Sequence, residues 1–194
     1  MKIKICGIKN EADAKAVNAC KPDYCGFIFA PSKRRISIQE AEKLRRLIDD
    51  NIKAVGVFTD TSPIDIAKLY GQGIIQLAQL HGGQNNGFLT ELKLLCNIPI
   101  IQAIRDKSED MPHKNADFLL YDGAKAGSGI AFDWNTIPDT SKPFFLAGGI
   151  NITNIDEAKR QNPYCIDIAS GAEDDRGNKD TEKMKILIDR VRSV

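Results

Sequence analysis

Apolar residues fall along this chain in two rhythms that alternate with each other. Lys2-Ile3-Lys4-Ile5-Cys6-Gly7 has the two-residue period of a half-buried strand, with the isoleucines on one face and the lysines on the other. Cys6 stands at its carboxyl end, and Gly7 lets the backbone turn away. Seven further short runs are apolar almost throughout, as in strands covered on both faces. They are Tyr24–Phe29, Lys53–Phe58, Ile74–Leu80, Pro99–Ile104, Asp117–Tyr121, Pro143–Ala147 and Tyr164–Ala169. Between several of them lie helical signals. Asn10, Ser37 (with Glu40 completing a capping box), Ser62-Pro63 and Asp180 read as helix starts. Ile38, Ala41, Leu44, Leu47 and Ile48 form one helical stripe; Met184, Leu187, Ile188 and Val191 form another. Leu89, Leu92 and Leu95 mark a third helix, whereas Asp106–Asn115 carries no stripe, so any helix there is short.

Eight short strands, most separated by one helix, predict a single (β/α)₈ TIM barrel with trimmed loops spanning residues 1–194. An open doubly wound sheet is the competing arrangement. Either one places ligands at the carboxyl ends of the strands. There the chain carries Cys6, Arg34, Gln79, His81, Asp122, Gly148, Gly149, Ser170 and Gly171.

Gly148-Gly149 and Ser170-Gly171 follow the last two strands, where barrels most often bind phosphate, although a Gly-Gly pair also makes a plain tight turn. Cys6 could act as a nucleophile or a base, or fill space as a small apolar side chain. Arg34, in the basic run Ser32–Arg35, has the fork that grips a carboxylate. Gln79 and His81 close the fourth strand as candidates for substrate contact, and a structural role for the histidine competes with that. The loop Gly123–Gly129 fits neither common nucleotide-binding glycine pattern; a lid over the barrel mouth is the expectation for it.

Composition narrows the partners. With 27 basic and 26 acidic residues the net charge is +1, which favours neither nucleic acid nor an anionic membrane. No apolar run approaches the ~20 residues of a membrane span, and the amino terminus has no signal-peptide pattern. Five scattered cysteines and two histidines match no disulfide framework and no zinc site. A reducing cytoplasm is the simplest compartment, and a small anionic substrate, which needs only a few local donors, stays open. Monomer and homodimer both stay open.

In order along the chain, Lys4-Ile5-Cys6-Gly7, Pro31-Ser32-Lys33-Arg34, Val55-Gly56-Val57-Phe58 and Gln79-Leu80-His81-Gly82 resemble phosphoribosylanthranilate isomerases. The match continues through Asp122, Gly127–Gly129, Phe132-Asp133-Trp134 and Leu146–Asn151. It ends in Asp167–Glu173, Gly177 and Lys179-Asp180. Members of that family are (β/α)₈ barrels of tryptophan biosynthesis that perform a cofactor-free Amadori rearrangement. The resemblance implies a general base at Cys6, a general acid at Asp122, an arginine for the substrate at Arg34, and phosphate loops at Gly148-Gly149 and Ser170-Gly171. The chain departs from the family pattern at Ile152, where proline is usual, and at Ala169, where a second serine is usual. The loop after Asp122 is also shorter than many relatives carry. An epimerase or aldolase would instead want a metal set or a Schiff-base lysine, and a non-catalytic phosphate-binding barrel would need neither Cys6 nor Asp122.

Overall fold

The structure is a computed structural model, and it describes residues 1–104, 113–123 and 133–193. Most of the glycine-rich loop expected as a lid, and most of the polar connection between the fifth and sixth strands, lie outside the described residues. Eight parallel strands run β1 Lys2–Cys6, β2 Tyr24–Ile28, β3 Lys53–Phe58, β4 Leu77–Leu80, β5 Ile100–Ile104, β6 Phe118–Tyr121, β7 Phe144–Leu146 and β8 Cys165–Ile168. They close into a barrel in chain order, β8 pairing with β1 so that Asp167 lies opposite Lys4. This TIM barrel is the predicted fold, and closure excludes the open sheet. The helices are α1 Glu11–Cys20, α2 Ile38–Leu47, α3 Pro63–Gly71, α4 Asn86–Leu95, α5 Ile155–Arg160 and α6 Thr181–Arg192.

The predicted caps are in place. Asn10, Ser62 and Asp180 accept backbone N–H bonds in the first turns of α1, α3 and α6, and Ser37 with Glu40 forms the full capping box of α2. Each such cap stabilises its helix by about 1 kcal/mol. The fourth strand is shorter than expected. Ile74 and Ile75 are buried but precede the ladder, because the Ile74 N–H turns back to the carbonyl of Leu69 at the end of α3.

One expectation needs correcting. The alternation in β1 does not mark a half-buried strand: Lys4 is fully buried, and of the five residues only Lys2 is exposed. In a closed barrel both faces of a strand are covered. Ile3 and Ile5 pack outward against the helical layer, and Lys4 and Cys6 point into the lumen. The amino-terminal part of that lumen is filled by Tyr24, Val55, Leu77, Ile101, Leu120, Phe145 and Cys165. Above it, Cys6 packs with Ile28 and Val57.

Candidate active site

The carboxyl ends of the strands enclose a cavity of about 530 Å³. Cys6, Arg34, Gln79, His81, Asp122, Gly148, Gly149 and Ser170 all line it, together with Asp167, which sequence reasoning did not single out. Gly171 lies apart, in an adjoining cavity of about 320 Å³ shared with Gly149, Asn151, Ser170 and Lys183. Gly148 and Gly149 turn with φ of +87° and +67°, a conformation that L side chains resist. A Cβ on Gly171 would run into the carbonyl oxygen of Ile150. These two loops therefore meet backbone to backbone. Gly26, beside Cys6 in the ladder, leaves room for the thiol: a Cβ there would sit 2.7 Å from the sulfur.

A chain of polar side chains crosses the lumen from β8 to the end of β6. Lys4 Nζ donates to Asp167 Oδ2 at 2.6 Å and to Gln79 Oε1 at 2.8 Å. With its oxygen engaged, Gln79 presents its amide nitrogen to His81 Nδ1 at 3.2 Å. A lysine can only donate, so this order assigns Nδ1 as the acceptor and puts the imidazole proton on Nε2. That nitrogen stands 3.8 Å from Asp122 Oδ2. The other Asp122 oxygen accepts the Gly123 N–H at 2.8 Å. Burial, reinforced by the negative charge of Asp167, raises the Asp122 carboxyl to about 6 against the pull of that N–H and of Lys4. Burial also raises the Cys6 thiol, with Lys4 working in the opposite direction. Lys4 itself is buried at a cost, yet Asp167 and Cys6 hold its ammonium above the ordinary range. Asp167 Oδ1 is buried with no hydrogen-bond partner among the described residues.

A second ionic cluster sits at the rim. Arg34, 5% exposed, donates from Nε and Nη2 to the two oxygens of Glu173 at 2.6 and 2.8 Å. Lys179 Nζ adds a bond to Glu173 Oε1 at 2.8 Å and one to the Ala169 carbonyl at 3.0 Å. Despite burial, these two cations draw Glu173 down to about 2. Lys179 is deeply buried, shares its carboxylate with Arg34, and is held below the ordinary lysine range. Arg34 thus already carries one carboxylate from the protein itself. Among the described residues, no group of three or more His, Cys, Asp or Glu could hold a metal ion.

With the barrel and its polar lumen in view, comparison with known families decides what kind of barrel it is. The model of the N-(5′-phosphoribosyl)anthranilate isomerase family matches residues 3–190. The chain belongs to that family. An N-(5′-phosphoribosyl)anthranilate isomerase of Endomicrobium trichonymphae is 44% identical over 200 residues, covering 100% of this chain and 99% of that protein. The crystal structure of the phosphoribosylanthranilate isomerase of Thermus thermophilus superposes with a TM-score of 0.87 at 33% identity, over 98% of both chains. A phosphoribosylanthranilate isomerase solved in complex with reduced 1-(o-carboxyphenylamino)-1-deoxyribulose 5-phosphate superposes with a TM-score of 0.86 at 28% identity, over the full length of both.

On this barrel, sequence reasoning assigned no role to Lys4, Asp167, Glu173, Lys179 or Lys183, although the first four stand in the stretches that resemble the family. A signal existed for one of them. Asp167 is a charged residue inside an otherwise apolar strand, which calls for a partner when both strand faces are covered, whereas Lys4 alternates with isoleucine as a solvated lysine would. Glu173 and Lys179 sit among polar loop residues, and nothing in their surroundings separates them from solvated charges.

Proposed function

We propose that this chain isomerises N-(5′-phosphoribosyl)anthranilate to 1-(2-carboxyphenylamino)-1-deoxyribulose 5-phosphate, with Cys6 as general base and Asp122 as general acid. The activity is that of its family, a step of tryptophan biosynthesis; the roles of Cys6, Asp122 and Arg34 are those the resemblance implies, and the geometry of the cavity supports them. The observation that carries it is the placement of Cys6 and Asp122 on one cavity, from β1 and from the end of β6, with the Asp122 carboxyl raised to about 6. An ordinary aspartate, near ~3.9, would have almost no proton to give at neutral pH.

Asp122 gives its proton to the furanose ring oxygen as the bond from that oxygen to C1′ breaks, leaving a Schiff base between C1′ and the anthranilate nitrogen. The Schiff base acidifies the C2′ proton, which the Cys6 thiolate removes. The enolamine then gains a proton at C1′ and loses one from its C2′ hydroxyl, giving the ketone with no net change in protons. This divides the work between one acid and one base. Backbone groups at Gly149 and Gly171, with Ser170 and Lys183, hold the phosphate in the adjoining cavity, and Gly148 borders it from the main one. Arg34 holds the anthranilate carboxylate through Nη1, its other two nitrogens being engaged by Glu173. Gln79 and His81 position the sugar between acid and base. We read residues 1–194 as one catalytic domain, acting in the cytoplasm as a monomer or homodimer. Five free cysteines support a reducing compartment, and no helix among the described residues is long and apolar enough to cross a membrane.

The test supplies phosphoribosylated anthranilate and follows the loss of its fluorescence, before and after exhaustive chelation. Turnover should survive chelation. Cys6→Ser should lose 10²- to 10⁴-fold in kcat while still binding substrate, since the two side chains are nearly the same size. Near-normal kcat in that variant would make Cys6 a packing residue only.

A further inference from the structure

The base just assigned stands in poor surroundings for an anion. Cys6 is 7% exposed, packed against Ile28 and Val57, and burial works against its thiolate. The charged and titratable groups that act on it come from several elements. They are Lys4 on β1, Cys25 on β2, Arg34 beyond β2, Asp167 on β8, and Lys179 in the segment leading to α6. Arg34 and Lys179 are both committed to Glu173. Asp167 opposes the thiolate. Lys4 is different: two residues before Cys6 on the same strand, its fully buried side chain shares the face that enters the lumen, and its positive charge favours the thiolate.

We infer that Lys4 is a positioning residue for the isomerisation: its buried ammonium, fixed by Asp167 and Gln79, holds the negative charge of the Cys6 thiolate inside the barrel. The inference rests on Cys6 being the base. It also accounts for a feature that packing does not explain. A buried lysine–aspartate pair is a poor stabiliser, and apolar residues of similar volume would often serve as well. Here Lys4 donates to Asp167 and Gln79 in the lumen it shares with the thiol. Asp167 and the Cys6 thiolate each favour its ammonium against burial, so the thiolate still holds the lysine charged when Asp167 is neutral. The ion pair is thus a support for a third charge.

The experiment measures iodoacetamide alkylation of Cys6 against pH, read by mass spectrometry of the Cys6 peptide so that half-buried Cys96 does not contribute. Lys4→Met should move the alkylation midpoint up by about 1 to 3 pH units, with kcat at neutral pH falling roughly tenfold for each unit. Asp167→Asn, nearly isosteric, should move the midpoint down, because the opposing charge is gone. Lys4→Met/Asp167→Asn leaves no lone buried charge and so guards against a misfolded single variant; its midpoint should stay above wild type. A role confined to packing predicts no opposite movement in Lys4→Met and Asp167→Asn. An unmoved midpoint in folded Lys4→Met or in the double variant, or an upward move in Asp167→Asn, overturns the inference. Those outcomes are separate from failure of the base assignment itself, which shows as near-normal kcat in Cys6→Ser.

Discussion

Two successive layers of the barrel interior come from the same strands and do different work. Towards the amino ends the lumen holds Tyr24, Val55, Leu77, Ile101, Leu120 and Phe145. Two residues further along those strands stand Gly26, Val57, Gln79, Ala103, Asp122 and Ala147. A two-residue step keeps a side chain on the same face, so the second layer sits directly on the first. The lower layer is bulky and apolar, with Phe145 at ring-centroid distances of 5.7, 5.5 and 5.8 Å from Tyr24, Phe118 and Tyr164. The upper one replaces bulk with small or polar groups, and the room this leaves is the floor of the cavity. Close packing below makes a rigid base, and the side chains above are then free to be chosen for chemistry.

The strongest way to break this comparison is to change chemistry in the upper layer without changing shape. Asp122→Asn should lower kcat by about 10²- to 10⁴-fold and alter substrate binding little. Its pH–rate profile should also lose the limb on which wild-type activity declines above about 6. Stability should move the other way. The unfolded carboxyl ionises near 3.8 and the folded one at about 6, so the native state favours the neutral form. Wild type should therefore lose stability relative to Asp122→Asn as pH rises through that window. A variant less stable than wild type at neutral pH would mean that the carboxylate is needed for the fold.

In the lower layer the expectation reverses. Phe145→Ala should cost about 3–5 kcal/mol of stability, measured by denaturant unfolding, while the fraction that remains folded keeps most of its kcat. A large kcat loss at full folding would show that the floor tunes the site and does not merely support it.

The rim cluster lies between these cases. Glu173→Gln leaves Arg34 and Lys179 buried without their carboxylate, and should cost about 3 kcal/mol, the low end for a broken buried pair because the amide keeps one acceptor. The Glu173 carboxyl is depressed from its ordinary 4.5 to about 2, so its contribution is complete above about 4.5 and fades as pH falls towards about 2. The gap between wild type and variant should close over that range, whereas the Phe145→Ala gap should not. The smallest effect is expected at Ser170→Ala, which removes one hydroxyl from the phosphate loop. A rise of about fivefold in KM, near 1 kcal/mol, with kcat unchanged would fit a single neutral hydrogen bond.

Much of this was legible in the linear pattern. Cys6, His81 and Asp122 stand at the ends of apolar runs, and in any parallel α/β sheet such positions reach the ligand-binding edge. The Gln79–His81 pair follows from the same two-residue period. Gly148-Gly149 was readable as a turn, and its positive φ values show why a side chain is unwelcome there. Helix starts were visible because a cap is a local contract between residues three apart.

What the sequence could determine by itself was periodicity, and therefore which residues share a strand face. It could not say whether that face meets water or a closed lumen. Lys4 looks like a solvated residue as long as β1 is considered alone. It becomes an interior cation only when β8 closes against β1 and brings Asp167, 163 residues away, to its ammonium. Arg34 likewise meets Glu173 across 139 residues. A charge beside water needs no partner, whereas a charge sealed in a barrel must have one. The partner's identity is set by strand order and closure, which belong to the tertiary structure alone.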